Sequence, residues 1–245
     1  MWFEGSNHKP HSTDHNILVS DRQQEGALGL AVDWMIRRSV RKAFHTVHWL
    51  PPQEKPAAPV IFVANHHGWH DGYLMYLAAT QLGIRVVDWI AEFDAFPLFA
   101  KVGGLRFPKD DPNARAATIR RTIRLMQNEG RSLLLFGEGT LHRPPGLMTF
   151  GKALETVARA VPTARVVPVS IRYEQAMHER PEAWLRFGEE VALGDDLSAR
   201  TRLAVGRGLD AIASELRFAP ERYEILAKGT LDVNERWDVR KFRKS

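Results

Sequence analysis

The stretch "PVIFVANHHGWHDGYL", residues 59–74, runs from an unbroken apolar segment through a polar turn into a new periodic segment. An apolar run of five or six residues without alternation reads as a strand covered on both faces, the habit of parallel sheets. The turn after it gathers His66, His67, His70 and Asp71 within six positions. In open α/β sheets, ligands collect beyond the carboxyl ends of the strands. This one stretch therefore predicts both a fold class and the rim on which a site sits.

Working outward, the pattern alternates. Residues 27–50 carry apolar positions at steps of three and four (Leu28, Val32, Met35, Ile36, Val40, Ala43, Val47 and Leu50), predicting an amphipathic helix with Arg37, Arg38, Arg41 and Lys42 on it. The turn-rich "PPQEKPAAP" leads into the strand at 59–64. Helices follow at 71–82, 95–102, 112–129, 150–161 and 199–217. Strands are expected at 85–91, in "GGLRF", in "SLLLFG", in "ARVVPVSIR" and at 184–193. Apolar strands separated by helices predict an α/β fold with a mostly parallel central sheet flanked by helices. Residues 1–24 read as a loose tail, 25–230 as one domain with its core at 57–217, and 231–245 as a basic tail whose last residues, "RWDVRKFRKS", are expected to be mobile.

At 245 residues the chain is long enough for one large α/β domain. Its 44% hydrophobic and 26% charged residues are those of a globular fold. The absence of cysteine excludes disulfide scaffolds, Cys-based zinc sites and a thiol nucleophile. A net charge of +5 favours anionic partners. No run approaches a membrane span and "MWFEGSNHKPHSTDH" lacks the order of a secretion signal, so a cytoplasmic location is expected.

The histidine cluster admits three readings: a metal site, a base with an orienting acid, or a decorated loop. The spacing His-His-x-x-His-Asp matches no zinc signature, so no metal is expected there. A neutral imidazole takes a proton from an alcohol effectively when a carboxylate holds its other nitrogen. His66 and Asp71, separated by four residues, suit a turn that folds back to make that contact. Asp71 equally suits a helix cap.

A second motif bears on the choice. "LLLFGEGT" sets Glu138, Gly139 and Thr140 after a strand, about 70 residues beyond His66. "NH-x-x-x-x-D" followed by "F-x-EGT" resembles the lysophosphatidic acid and glycerol-3-phosphate acyltransferase family. "GGLRFPKD" (103–110) and "VVPVSI" (166–171) are similar to its weaker elements and fall in order. The resemblance covers about residues 27–195. It implies a glycerol-3-phosphate acyltransferase-like fold and acyl transfer, without a cofactor, from an acyl-CoA or acyl carrier protein thioester to a lipid hydroxyl. His66 is then the general base and Asp71 its orienting acid, with Glu138, Gly139 and Thr140 lining the acceptor pocket. It also turns the helix at 27–50, with Trp34 and Trp49, into a dock on an anionic membrane surface. The expected place is then peripheral, at the cytoplasmic face.

The chain departs from the family at two arginines associated with acceptor phosphate. Asp110 stands near one, and "GEGTLHR" has Gly137 for the usual proline and Leu141 for the other arginine. Arg106, Lys109, Arg143 and Lys101 are the cations nearest to replace them; otherwise the acceptor is a lyso-aminolipid, a glycosylated lipid or another phosphate-free hydroxylated lipid. Thioester hydrolysis would use the same base on water. Nucleic acid is not an expected partner, because no recognition motif accompanies the basic clusters.

Overall fold

The computed structural model describes Gln24, residues 26–175, 177–238 and Arg240. The tail expected at 1–24 thus lies, except for Gln24, outside the described residues. The strands are β1 (Thr46–Leu50), β2 (Val60–Ala64), β3 (Val86–Ile90), β4 (Gly104–Arg106), β5 (Ser132–Phe136), β6 (Arg165–Glu174), β7 (Glu182–Phe187) and β8 (Glu224–Lys228). The helices are α1 (Gly26–Ala43), α2 (Asp71–Gln81), α3 (Pro112–Glu129), α4 (Ala153–Ala160), α5 (Leu197–Phe218) and α6 (Val233–Arg236). One eight-stranded sheet has the order β4-β3-β5-β2-β6-β7-β1-β8. Its pairings are parallel except β6 with β7 and β8 with β1.

Strand β2 lies near the centre and is buried along its whole length. Its side chains alternate between two cores, as the two-residue period requires. Val60, Phe62 and Ala64 face a layer with Val32, Ile36 and Val40 of α1 and Leu74 and Met75 of α2. Ile61 and Val63 face the opposite layer, with Met126 of α3, Leu154 and Val157 of α4, and Val205 of α5. The sheet is therefore covered on both faces, which explains the unbroken apolar run. Helix α3 begins where Asp111 accepts from the Ala114 N–H at 2.9 Å with Pro112 in the first turn, and stops at Gly130 with φ of 61°.

Three expectations need correction. The helix expected over 27–50 ends at Ala43, and 46–50 is strand β1, where the buried Val47 and Trp49 join the core. Val47 and Leu50 happen to continue the helical spacing, so periodicity alone reads through the break. The apolar stripe of α1 (Val32, Ile36, Val40) faces the protein, and neither it nor Trp49 is available to a membrane. The C-terminal segment, set apart as a tail from 231, begins with the capped turn α6: Asp232 and Glu235 satisfy each other's backbone N–H groups. Among the described residues no helix is long and apolar enough to cross a membrane.

Candidate active site

Because β2 and β5 are adjacent and parallel with Ala64 opposite Phe136, the loops after them emerge side by side. Strand β6 flanks β2 on its other side and runs on to Glu174, past the end of β2. Asn65 bridges that overhang. Its Oδ1 accepts from Ile171 N–H at 2.8 Å and its Nδ2 donates to Ile171 C=O at 2.9 Å. The side-chain amide thereby continues the ladder where the main chain leaves it, and so fixes the start of the histidine turn.

His66 follows, its ring stacked on Phe136 with centroids 4.3 Å apart. Its Nδ1 lies 2.9 Å from Asp71 Oδ2; the His66 side chain is 24% exposed and that of Asp71 is fully buried. The same Asp71 oxygen accepts the Gly68 N–H at 2.8 Å, and Asp71 Oδ1 accepts the Tyr173 hydroxyl. Three donors thus surround one buried carboxylate, which Asp71 keeps although it is also the first residue of α2. Burial, then the Asp71 charge, push the Tyr173 phenol far above its ordinary value, so it remains a donor. With Asp71 accepting from Nδ1–H, Nε2 carries the lone pair.

Glu138 braces this turn from β5. Its Oε2 accepts the His66 N–H at 2.7 Å, while Oε1 accepts the Met148 N–H at 2.8 Å and meets His142 Nε2 at 2.6 Å. With its side chain fully buried, Glu138 is a tie between loops. The hydrogen bond to Glu138 raises the His142 pKa above its ordinary 6.5. His67 completes the bracing: Nε2 reaches Gly146 C=O at 3.1 Å and Nδ1 lies 3.2 Å from Asn65 Nδ2. His67, Glu138 and His142 also bring potential ligand atoms within 4.8 Å of one another, with a single carboxylate among the three. Gly137, standing where the family usually has proline, donates to Ala64 C=O at 3.0 Å, and a Cβ there would lie 2.4 Å from the Phe150 ring.

The other predicted residues scatter. Gly139 is exposed with φ of 67° and Thr140 is half-buried beside it. Arg106 is on the edge strand β4, its Nε bonded to both Asp94 oxygens at 3.0 and 2.8 Å. Lys109 and Arg143 are exposed, and Lys101 is half-buried in the 3-10 turn Pro97–Val102. Sequence reasoning missed Asn65, Tyr173, His142 and Asp88. Asp88 on β3 lies under the first turn of α2, where a Cβ on Gly72 would be 3.4 Å from its Oδ2. Its Oδ1 is sealed from solvent without a hydrogen-bond partner among the described residues. Burial pushes this carboxyl up to about 7, against the opposing influence of His66 and the Trp89 N–H.

The family model described as Acyltransferase matches residues 44–172, just over half of the chain. A 1-acyl-sn-glycerol-3-phosphate acyltransferase of Haemophilus influenzae is 23% identical over 146 residues, covering 57% of this chain. The match spans 60% of that relative's length. The crystal structure of the 1-acyl-sn-glycerophosphate acyltransferase PlsC from Thermotoga maritima superposes with a TM-score of 0.55 at 21% identity, covering 75% of this chain and 79% of that one. That structure shares the fold. The residues matched by the family model include β2, the His66–Asp71 turn, β5, the Glu138 loop and most of β6, and the chain belongs to the acyltransferase family.

Proposed function

We propose that this chain transfers a fatty acyl group from an acyl-CoA or acyl carrier protein thioester to the hydroxyl of a lipid acceptor, 1-acyl-glycerol-3-phosphate, in phospholipid synthesis. The observation that carries the reading is the His66–Asp71 pair: a partly exposed imidazole on the rim, held through Nδ1 by a buried carboxylate. His66 Nε2 removes the proton from the acceptor hydroxyl as its oxygen attacks the thioester carbonyl. Asp71 fixes the tautomer and stabilises the imidazolium. Collapse of the tetrahedral intermediate breaks the C–S bond, and the imidazolium returns its proton to the leaving thiolate. No resident cofactor takes part.

A phosphate-free acceptor is the second reading. It is favoured by the bonding of Arg106 to Asp94 and by Asp110 and Leu141 in place of the usual arginines. Fork-like phosphate pairing is hard for other residues to supply. We place the protein peripherally at the cytoplasmic face of an anionic membrane. Leu30, Trp34, Arg37, Arg38 and Arg41 lie at helical spacing on the outer face of α1, with Trp34 62% exposed and the Arg38 guanidinium 5.4 Å from its ring centre.

The test is thiol release from long-chain acyl-CoA by the purified protein, without acceptor, with lysophosphatidic acid, and with phosphate-free hydroxylated lipids. Release dependent on lysophosphatidic acid and lost in His66→Ala is the expected result. Release only with a phosphate-free lipid selects the second reading. Equal release without acceptor would make the protein a thioesterase, and near wild-type transfer by His66→Ala would sink the mechanism.

A further inference from the structure

At the start of β1, on a surface that the acyl-transfer reading does not use, four side chains from three distant segments converge. His45 and His178 stack with ring centroids 3.4 Å apart and planes 4° from parallel. His45 Nε2 lies 2.9 Å from Glu235 Oε2, and His178 Nδ1 lies 2.8 Å from Asp232 Oδ2. Each of the four offers one ligand atom, and all four atoms fall within 4.8 Å of one another. A surface cavity of about 470 Å³, lined by His178, Glu179 and Asp232 among others, opens onto two of them.

A ligating imidazole gives its second nitrogen to an outer partner that fixes the tautomer. Here His45 Nδ1 meets the Thr46 hydroxyl at 3.0 Å, whereas His178 Nε2 has Glu182 Oε1 only at 3.9 Å, beyond hydrogen-bond reach. The carboxylates are anchored too. Asp232 Oδ1 accepts the Glu179 N–H at 3.0 Å, and Glu235 Oε2 accepts the Asp232 N–H at 2.8 Å. Bonds near 2.0–2.2 Å need the ligand atoms to close in by about 1 Å and the two stacked rings to tilt out of parallel, because a metal lies in the plane of each imidazole it binds.

We propose that His45, His178, Asp232 and Glu235 bind one divalent first-row transition metal ion, of the zinc, cobalt or manganese type. Two imidazoles and two carboxylates are a borderline donor set that suits these ions better than calcium or magnesium. The two carboxylate charges match a dication bound by neutral imidazoles. The ion joins the C-terminal segment to the start of β1, where Gly229 and Thr230 N–H already bond to His45 and Phe44 C=O at 2.9 and 3.0 Å. Phe44 stacks on Tyr173 at 5.6 Å, so the ion stiffens the support behind Asp71's partner.

The full chain, dialysed against a chelator, is titrated with Co²⁺ and then Zn²⁺, following stoichiometry by calorimetry, visible Co²⁺ absorption and Tm. One equivalent bound, with absorption bands and a Tm that rises with metal concentration, is expected. Glu235→Gln and His178→Gln, each checked for native circular dichroism, should weaken binding by more than about 100-fold. A triple His8, His11, His15→Ala variant and a His67→Ala, His142→Ala variant should bind as the wild type does. Absence of binding, binding unchanged in a folded Glu235→Gln or His178→Gln, or binding lost in either control variant would overturn the proposal.

Discussion

Tyr173 donates its hydroxyl proton to Asp71 Oδ1 across 102 residues of sequence, occupying the carboxylate oxygen that His66 does not use. Strand β6 outruns β2 and so brings the phenol over the histidine turn. Tyr173→Phe keeps the stacking on Phe44 and removes one donor from a buried carboxylate. We expect acyl-transfer kcat to fall about tenfold with KM unchanged, and stability to fall by about 1–2 kcal/mol. Steady-state kinetics and urea melts read these separately; an unchanged kcat would reduce Tyr173 to a packing residue. Asp71→Asn, which allows the wrong tautomer, should cost about 10³-fold or more in kcat.

The same geometry restricts Gly68. A Cβ there would lie 2.3 Å from the Tyr173 ring. Gly68→Ala should therefore displace Tyr173 and reduce kcat at least as far as Tyr173→Phe, by roughly tenfold or more. Combining the two changes should add little, because both break one contact. Full additivity in that double-mutant cycle would refute the shared cause.

Gly137 answers a departure that the sequence leaves unexplained. Proline at 137 would lose the hydrogen bond from its N–H to Ala64 and drive carbon into Phe150. Gly137→Pro, although it restores the family's usual residue, should destabilise the fold by about 3 kcal/mol. A Tm equal to wild type would contradict this packing.

Asp88 gives stability a pH dependence of definite sign. Its folded pKa is raised from 3.8 to about 7, so in that window the native state keeps a proton that the unfolded chain has lost. The contribution is complete below about pH 4 and disappears as pH rises through about 7. The raised pKa of His142 acts in the same direction from 6.5 upward, while the lowered pKa values of His48, His70, Asp232 and Glu235 act oppositely at lower pH, so between pH 4 and 6 only the difference between wild type and variant in urea midpoints reports Asp88. Asp88→Asn should flatten the decline across that range. A slope equal to wild type would remove Asp88 as its source.

What the sequence revealed was local. Asp111, Pro112 and Gly130 carry their own start and stop signals, so the span of α3 was legible to the residue. The His66–Asp71 contact was legible because both residues lie in one turn. Strand β1 was not, since Val47 and Leu50 fit a helical period, and only pairing with β7 and β8 makes the segment extended. Glu138 was found as a motif residue, but its bonds to the His66 and Met148 backbone depend on loop packing. Tyr173 and Asp88 are single polar residues in strands, with no periodic signal to mark them. His45 and Glu235 meet across 190 residues, beyond any spacing rule.

Helix α1 finally separates two roles that one amphipathic pattern conflates. Val32, Ile36 and Val40 are buried against the core, whereas Leu30 and Trp34 are 52% and 62% exposed beside Arg37, Arg38 and Arg41. Arg37 is already paired with Asp33 at 2.9 Å, which leaves Arg38 and Arg41 as the stronger attractors for anionic lipid. Each basic residue near such a surface contributes about 1 kcal/mol, so Arg38→Gln with Arg41→Gln should weaken partitioning by about 30-fold. Trp34→Ala should weaken it further, while leaving Tm within about 1 °C because the side chain is exposed. Vesicle sedimentation with phosphatidylserine against pure phosphatidylcholine, at two salt concentrations, reads both effects. Binding that ignores lipid charge and these substitutions would mean that α1 serves the core alone.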